Sequence, residues 1–87
     1  MTLRLDEPHG GVWRNDKFIE LTPYQFRLLR LLLRAESGFV SAKALADTLN
    51  TSKDSMVHQI HRLRKKLGEP KTIFYRYPWG YRIERDA

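Results

Sequence analysis

Between Thr51 and Gly68 the chain reads TSKDSMVHQIHRLRKKLG, and two kinds of side chain alternate there at helical spacing. Met56, Ile60, Leu63 and Leu67 are four, three and four residues apart, so at about 100° per residue they share one face. On the same wheel His58, His61, Arg62 and Lys65 fall opposite, with Arg64 and Lys66 on the flanks. One side suits burial, and the other is a cationic rod able to enter a polyanionic groove, which is the footprint of a recognition helix. A solvated surface arginine is the bland reading of Arg62. Its place on the face opposite the apolar stripe favours a contact role.

Other chemistry finds little support. Glu20, Asp47 and Asp54 are scattered, and the chain has no nucleophile–base pair, glycine-rich phosphate loop or HExxH motif, so no catalytic residues and no enzyme activity are expected. His58 and His61 are three apart on one face. The third histidine, His9, is distant in sequence, so no metal site and no cofactor are assigned. Absence of cysteine excludes a disulfide scaffold and a thiolate metal site.

Eighty-seven residues with 41% hydrophobic content make one small domain, read here as a single unit over 1–87. The net charge of +6 is lopsided. Residues 1–50 hold seven Lys and Arg against six Asp and Glu, whereas residues 51–87 hold nine against four. Such asymmetry points to a polyanionic partner for the basic half. No run approaches the roughly 18 apolar residues of a membrane span, and Met1 to Asp6 lacks the apolar core of a signal peptide, so a soluble cytoplasmic protein without a membrane partner is the default expectation.

The elements around the basic segment must position it. Leu3 and Leu5 alternate with Arg4 and Asp6, and Val12–Trp13 and Phe18–Leu21 follow after the turn signals Pro8–Gly11 and Asn15–Asp16. Three short strands of this kind form a small antiparallel sheet that has to pack on helices. Thr22, Pro23 and Gln25 open a first helix as N-cap, N1 proline and capping-box partner. It should run to about Arg34 or Ala35, burying Phe26, Leu29, Leu32 and Leu33 with Leu28 and Leu31 widening the stripe, and Gly38 is the expected stop. Ser41 caps a second helix, Ala42 to Leu49, ended by Asn50. Thr51 and Asp54 then have the spacing of a capping box for the third helix, which Gly68 closes. The turn between helices two and three has helix-turn-helix length. After Pro70 the period changes to two: Ile73, Tyr75 and Tyr77 suggest one strand face, Pro78–Trp79–Gly80 a turn, and Tyr81 and Ile83 a return strand. Trp13, Trp79 and Tyr81 are the types of a stacking platform for single-stranded nucleic acid. The competing assignment puts Tyr81 in the hairpin core and Trp13 against the sheet, leaving Trp79 open.

Strands, three helices and a hairpin in this order describe an α+β winged helix-turn-helix. The segments LTPYQFRLLRLLLR, FVSAKALADTL, HQIHRLRKKLG and WGYRI resemble, in order and spacing, the DNA-binding (effector) domain of OmpR/PhoB-type bacterial response regulators. The resemblance implies sequence-specific binding of double-stranded DNA in transcription regulation, with a recognition helix at about 52–67 in the major groove and a wing at about 72–84 on the backbone and minor groove. It implies base contacts for Arg62 and His58, backbone contacts for Ser55, His61 and Arg64, and a wing contact near Arg76 and Tyr77. Lys65, on the same side, is expected at phosphate. It further implies a monomer alone and a tandem dimer on DNA, with RNA polymerase a candidate partner.

Three departures stand beside the match. Asn50–Asp54 is shorter than the family's loop, which weighs against polymerase contact through it. Tyr77 and Pro78 stand where the family has Arg and Gly at the wing tip, with Arg76 one residue earlier. No receiver domain is evident, so the chain reads either as an excised effector domain or as a stand-alone regulator. The functional alternative is a winged helix used as a protein–protein adaptor, which would be expected to lack cations on its third helix.

Overall fold

The computed structural model describes residues 3–36 and 38–84. It contains the expected α+β winged-helix order: strands β1 (Leu3–Asp6), β2 (Gly11–Arg14) and β3 (Lys17–Glu20), helices α1 (Pro23–Arg34), α2 (Ala42–Thr48) and α3 (Lys53–Leu67), then strands β4 (Ile73–Arg76) and β5 (Gly80–Ile83).

β1, β2 and β3 form an antiparallel meander with β2 in the middle, and Leu5, Val12 and Ile19 align across it. Their face meets the helices, and Val12 is fully buried. On the outer face Arg4 lies 5.6 Å from the Trp13 ring and Trp13 lies 5.2 Å from Phe18, centroid to centroid. Trp13 therefore packs on the sheet, and its indole N–H donates to Asp6 Oδ2 at 3.0 Å.

α1 begins as its sequence dictates. The Thr22 hydroxyl accepts from Gln25 N at 3.2 Å, and Gln25 Oε1 accepts from Thr22 N at 3.1 Å, so both halves of the capping box are made. Phe26, Leu29, Leu32 and Leu33 are buried, and Leu28 is as deeply buried as any of them. The stop differs from expectation: Glu36, not Gly38, takes the left-handed conformation after the helix, at φ 50°.

α2 is capped by Ser41, whose hydroxyl accepts from Ala44 N at 3.0 Å, and Asn50 leaves it at φ 55°. The start of α3 corrects the sequence reading. Ser52, not Thr51, is the N-cap, and its hydroxyl accepts from Ser55 N at 3.1 Å. Thr51 instead gives its backbone N–H to Ala46 O at 3.0 Å, inside the α2–α3 turn, so the box with Asp54 is not formed. Asp54 still lies in the first turn, and Arg64, Lys65 and Lys66 in the last, each favourably placed against the helix dipole.

α1 and α2 both pack on α3. The shared core includes Leu28, Leu29 and Leu32 of α1, Leu45 of α2 and Met56, Ile60 and Leu63 of α3, closed by Ile73 and Ile83 of the hairpin. β4 and β5 pair antiparallel with Tyr75 opposite Tyr81, and Val40 adds a short bridge to β5 through hydrogen bonds of 2.7 and 2.8 Å with Tyr81. Tyr77 lies beyond β4 in the turn, so the strand face suggested by Ile73, Tyr75 and Tyr77 ends at Tyr75.

Candidate nucleic-acid interface

The surface begins with what α3 hides. Met56, Ile60, Leu63 and Leu67 are at most 4% exposed, and burying each contributes roughly 1.5–3 kcal/mol toward holding the helix on the body. With that stripe inward, helical geometry leaves Ser55, His58, His61, Arg62 and Lys65 exposed, and all five are. The ion pairs among the described residues, His9–Asp6, Arg30–Glu7, Lys43–Asp47 and Arg82–Glu84, lie off this helix. His58, His61, Arg62 and Lys65 thus present hydrogen-bonding and charged groups that no described carboxylate neutralises.

Two other cations of α3 are structural ties. Arg64 is half-buried, and its Nε donates to the Ile73 carbonyl at 3.2 Å, joining α3 to the start of the hairpin. Lys66 Nζ donates to the Glu20 carbonyl at 3.1 Å, joining α3 to the end of β3. A third tie comes from Arg14. Alternation along β2 points it inward with Val12, and it is only 7% exposed. Its guanidinium donates to the carbonyls of Leu67, Gly68 and Pro70, the Gly68 contact being 2.9 Å. These include the orphan acceptors at the C-terminal end of α3, which a planar fork of donors suits. The strand period could have flagged Arg14 as inward-facing; nothing in the sequence identified its partners. Lys17, also unremarked in the sequence, joins Lys65 and Lys66 around one shallow hollow beside this junction.

The hairpin supplies the second part of the surface. Tyr81 is buried, which pushes its phenol pKa above the ordinary tyrosine value, and its ring lies 4.9 Å from that of Tyr75. Gly80, at φ 111°, sits so close to Val40 and Ser41 that a Cβ would fall 2.7 Å from Ser41 Cα. Only glycine fits that approach. Beyond it Arg76, Tyr77 and Trp79 are exposed. Base-contact candidates thus cluster on one face of α3, the wing candidates sit at the far tip of the hairpin, and Arg64 bridges the two elements. No group of three or more His, Cys, Asp or Glu among the described residues is placed to hold a metal ion, and no described helix is long and apolar enough to cross a membrane.

Comparison with known proteins identifies the family to which this fold belongs. Residues 15–83 match the family model described as "Transcriptional regulatory protein, C terminal". The transcriptional regulatory protein CutR of Streptomyces coelicolor is 36% identical over 86 residues, which cover 93% of this chain and 40% of CutR. An uncharacterised transcriptional regulatory protein of Bacillus subtilis, YrkP, is 24% identical over 90% of this chain and 37% of its own length, so the chain spans well under half of these curated relatives. Among solved structures, the DNA-binding domain of Escherichia coli CadC superposes with a TM-score of 0.84 at 19% identity, covering 97% of this chain and 87% of that one. The DNA-binding domain of the response regulator AdeR, solved in complex with an intercistronic region, superposes with a TM-score of 0.82 at 15% identity, covering 99% and 97%. The chain belongs to the transcriptional regulatory protein C-terminal family, the OmpR/PhoB-type winged-helix domains that bind DNA in bacterial transcription regulators.

Proposed function

We propose that residues 1–87 act as one DNA-reading unit, with α3 in the major groove of a specific duplex site and the β4–β5 hairpin on the adjacent backbone and minor groove. The observation that carries this is the face of α3 opposite its buried stripe: His58, His61, Arg62 and Lys65 are exposed and none is engaged by the rest of the described chain. In this reading the planar fork of Arg62 meets a guanine edge, His58 reads a neighbouring base, and Ser55, His61 and Lys65 hold phosphates. Arg64, tied at Nε to Ile73, keeps its outer nitrogens for the backbone while fixing the wing, and Arg76 and Tyr77 meet DNA at the tip. An adaptor would be expected to lack exposed, unpaired cations such as Arg62 and Lys65 on this helix. The AdeR domain, which shares the fold, was solved on an intercistronic region, and this supports duplex DNA as the partner class.

The same reading places the domain in the bacterial cytoplasm, monomeric in isolation and paired in tandem on repeated half-sites. The short α2–α3 turn offers RNA polymerase little surface, so polymerase contact, if made, falls to other parts of the regulator.

The test is selection of binding sites from random duplexes at two salt concentrations, followed by Arg62→Ala on the selected site. The expected outcome is a defined motif, with Arg62→Ala losing about 1–3 kcal/mol on it and relaxing one base position. Equal loss on random DNA would reduce Arg62 to a phosphate contact, and failure to enrich any motif would favour the adaptor.

A further inference from the structure

Register pairs Arg76 with Gly80, leaving a three-residue tip of Tyr77, Pro78 and Trp79. Tyr77 is 81% exposed and Trp79 62%, the two most exposed large hydrophobic residues described. Neither makes a ring contact or hydrogen bond with the described chain, so the core gains nothing from them. Yet the tip stands on a fixed base. Gly80 is pressed against Val40 and Ser41, Tyr81 exchanges two backbone hydrogen bonds with Val40, and the other strand is anchored to α3 by Arg64. Two aromatic groups on a held turn can enter a partner with little loss of backbone freedom.

The charges around the tip indicate what that partner is. Arg76 borders the tip directly, and no carboxylate falls between Lys71 and Ile83; Lys71 and Arg82 lie over Phe74 lower on the hairpin, where Arg82 pairs with Glu84. An arginine unpaired among the described residues, beside bare aromatic and proline rings, fits a polyanion that also offers apolar and π surfaces. A duplex has both in its minor groove, where sugars and base-step edges lie between two rows of phosphates. Phosphate binding alone would be served by lysine or arginine, and the Pro78 ring has no donor to offer it.

Resting on the DNA-binding reading above, we propose that Tyr77–Pro78–Trp79 is an apolar wedge. It presses into the minor groove beside the α3 site, with Trp79 on a partly unstacked base step. Wedges of this kind bend the duplex toward the major groove and favour sequences that yield easily, pyrimidine–purine steps above all. Trp79 thereby becomes a specificity determinant at a step that α3 does not reach.

The test measures duplex bending by energy transfer between end-labelled DNA, together with affinity, for the full chain and for Trp79→Ala and Tyr77→Ala on the selected site. The wild-type chain should bend the site by about 20–90°. Trp79→Ala should remove most of the bend, weaken binding about tenfold and erase the preference for a flexible step on the wing side, while leaving the base preference at Arg62 intact. A thermal melt controls for folding; both side chains are exposed, so it should be unchanged. Equal bend and affinity in Trp79→Ala, with the Arg62-dependent motif intact, overturns the wedge alone. Loss of pairing between two copies on tandem sites, with single-site binding and bending unaltered, makes the tip a protein contact and also overturns it. Absence of any Arg62-dependent motif in the wild type overturns the DNA reading and the wedge together.

Discussion

Arg14 in the second strand donates to the carbonyl of Gly68, the residue that closes the recognition helix, across 54 positions of sequence. With the neighbouring Leu67 and Pro70 carbonyls, one buried guanidinium satisfies backbone acceptors where α3 turns toward the hairpin. Removing it strands those acceptors and leaves a void at the junction. Arg14→Ala is expected to lose about 3 kcal/mol of unfolding free energy, and Arg14→Lys to recover only part, because an ammonium cannot span the carbonyls as a planar fork does. Urea titration of the three proteins checks this; a loss below about 0.5 kcal/mol for Arg14→Ala, the size of an ordinary surface change, would show that the contacts carry no stability.

The cap of α3 gives a finer test. Ser52→Ala removes the acceptor for the Ser55 N–H and is expected to cost about 1 kcal/mol. Thr51→Ala removes a side chain outside the cap and should cost clearly less. The reverse order in a denaturant titration would return the cap to Thr51.

Lys65 and Lys66 are adjacent but differently engaged, since only Lys66 donates to Glu20 O. Lys65→Ala should weaken binding to all duplexes alike and lower the slope of log affinity against log salt by about one. Lys66→Ala should change the slope less and the stability more. Salt titrations on specific and random DNA separate the two effects, and equal slopes for Lys65→Ala and wild type would remove Lys65 from the phosphate contacts.

Asp6 supplies a pH dependence. The Trp13 indole N–H, then the His9 side chain, hold its pKa below the ordinary aspartate value. A lowered carboxylate pKa means the folded state binds the proton less readily than the unfolded chain. Asp6 therefore stabilises above the unfolded aspartate pKa, and its contribution fades as pH falls through the lower folded value. Wild type should melt higher than Asp6→Asn at neutral pH, and the gap should close in strong acid. A gap that persists there would assign the effect to packing instead of charge.

Legibility followed distance along the chain. The α1 capping box was readable because Thr22 and Gln25 are three residues apart and each side chain bonds the other's backbone N–H. The α3 cap slipped by one because Thr51 and Ser52 both carry hydroxyls with a suitable residue three positions on, and only the backbone path chooses between them. Glu36 took the helix stop expected of Gly38 because a left-handed residue is needed directly after Ala35, whatever its type. On α3 the apolar period was enough to set which groups face outward, so the candidate surface was legible. The ties of Arg14, Arg64 and Lys66 were not: their acceptors are carbonyls, which every residue possesses, and composition cannot distinguish one from another.

The hydrogen bonds between Val40 and Tyr81 make the segment feeding α2 a third rail of the hairpin. In the proposed complex, with Arg64 tying the hairpin to α3, the two elements act as the jaws of a caliper whose gap is set before any DNA arrives. A site with the wrong span must itself deform to be gripped, so selectivity of this kind is exerted on the shape of the duplex as well as on its letters.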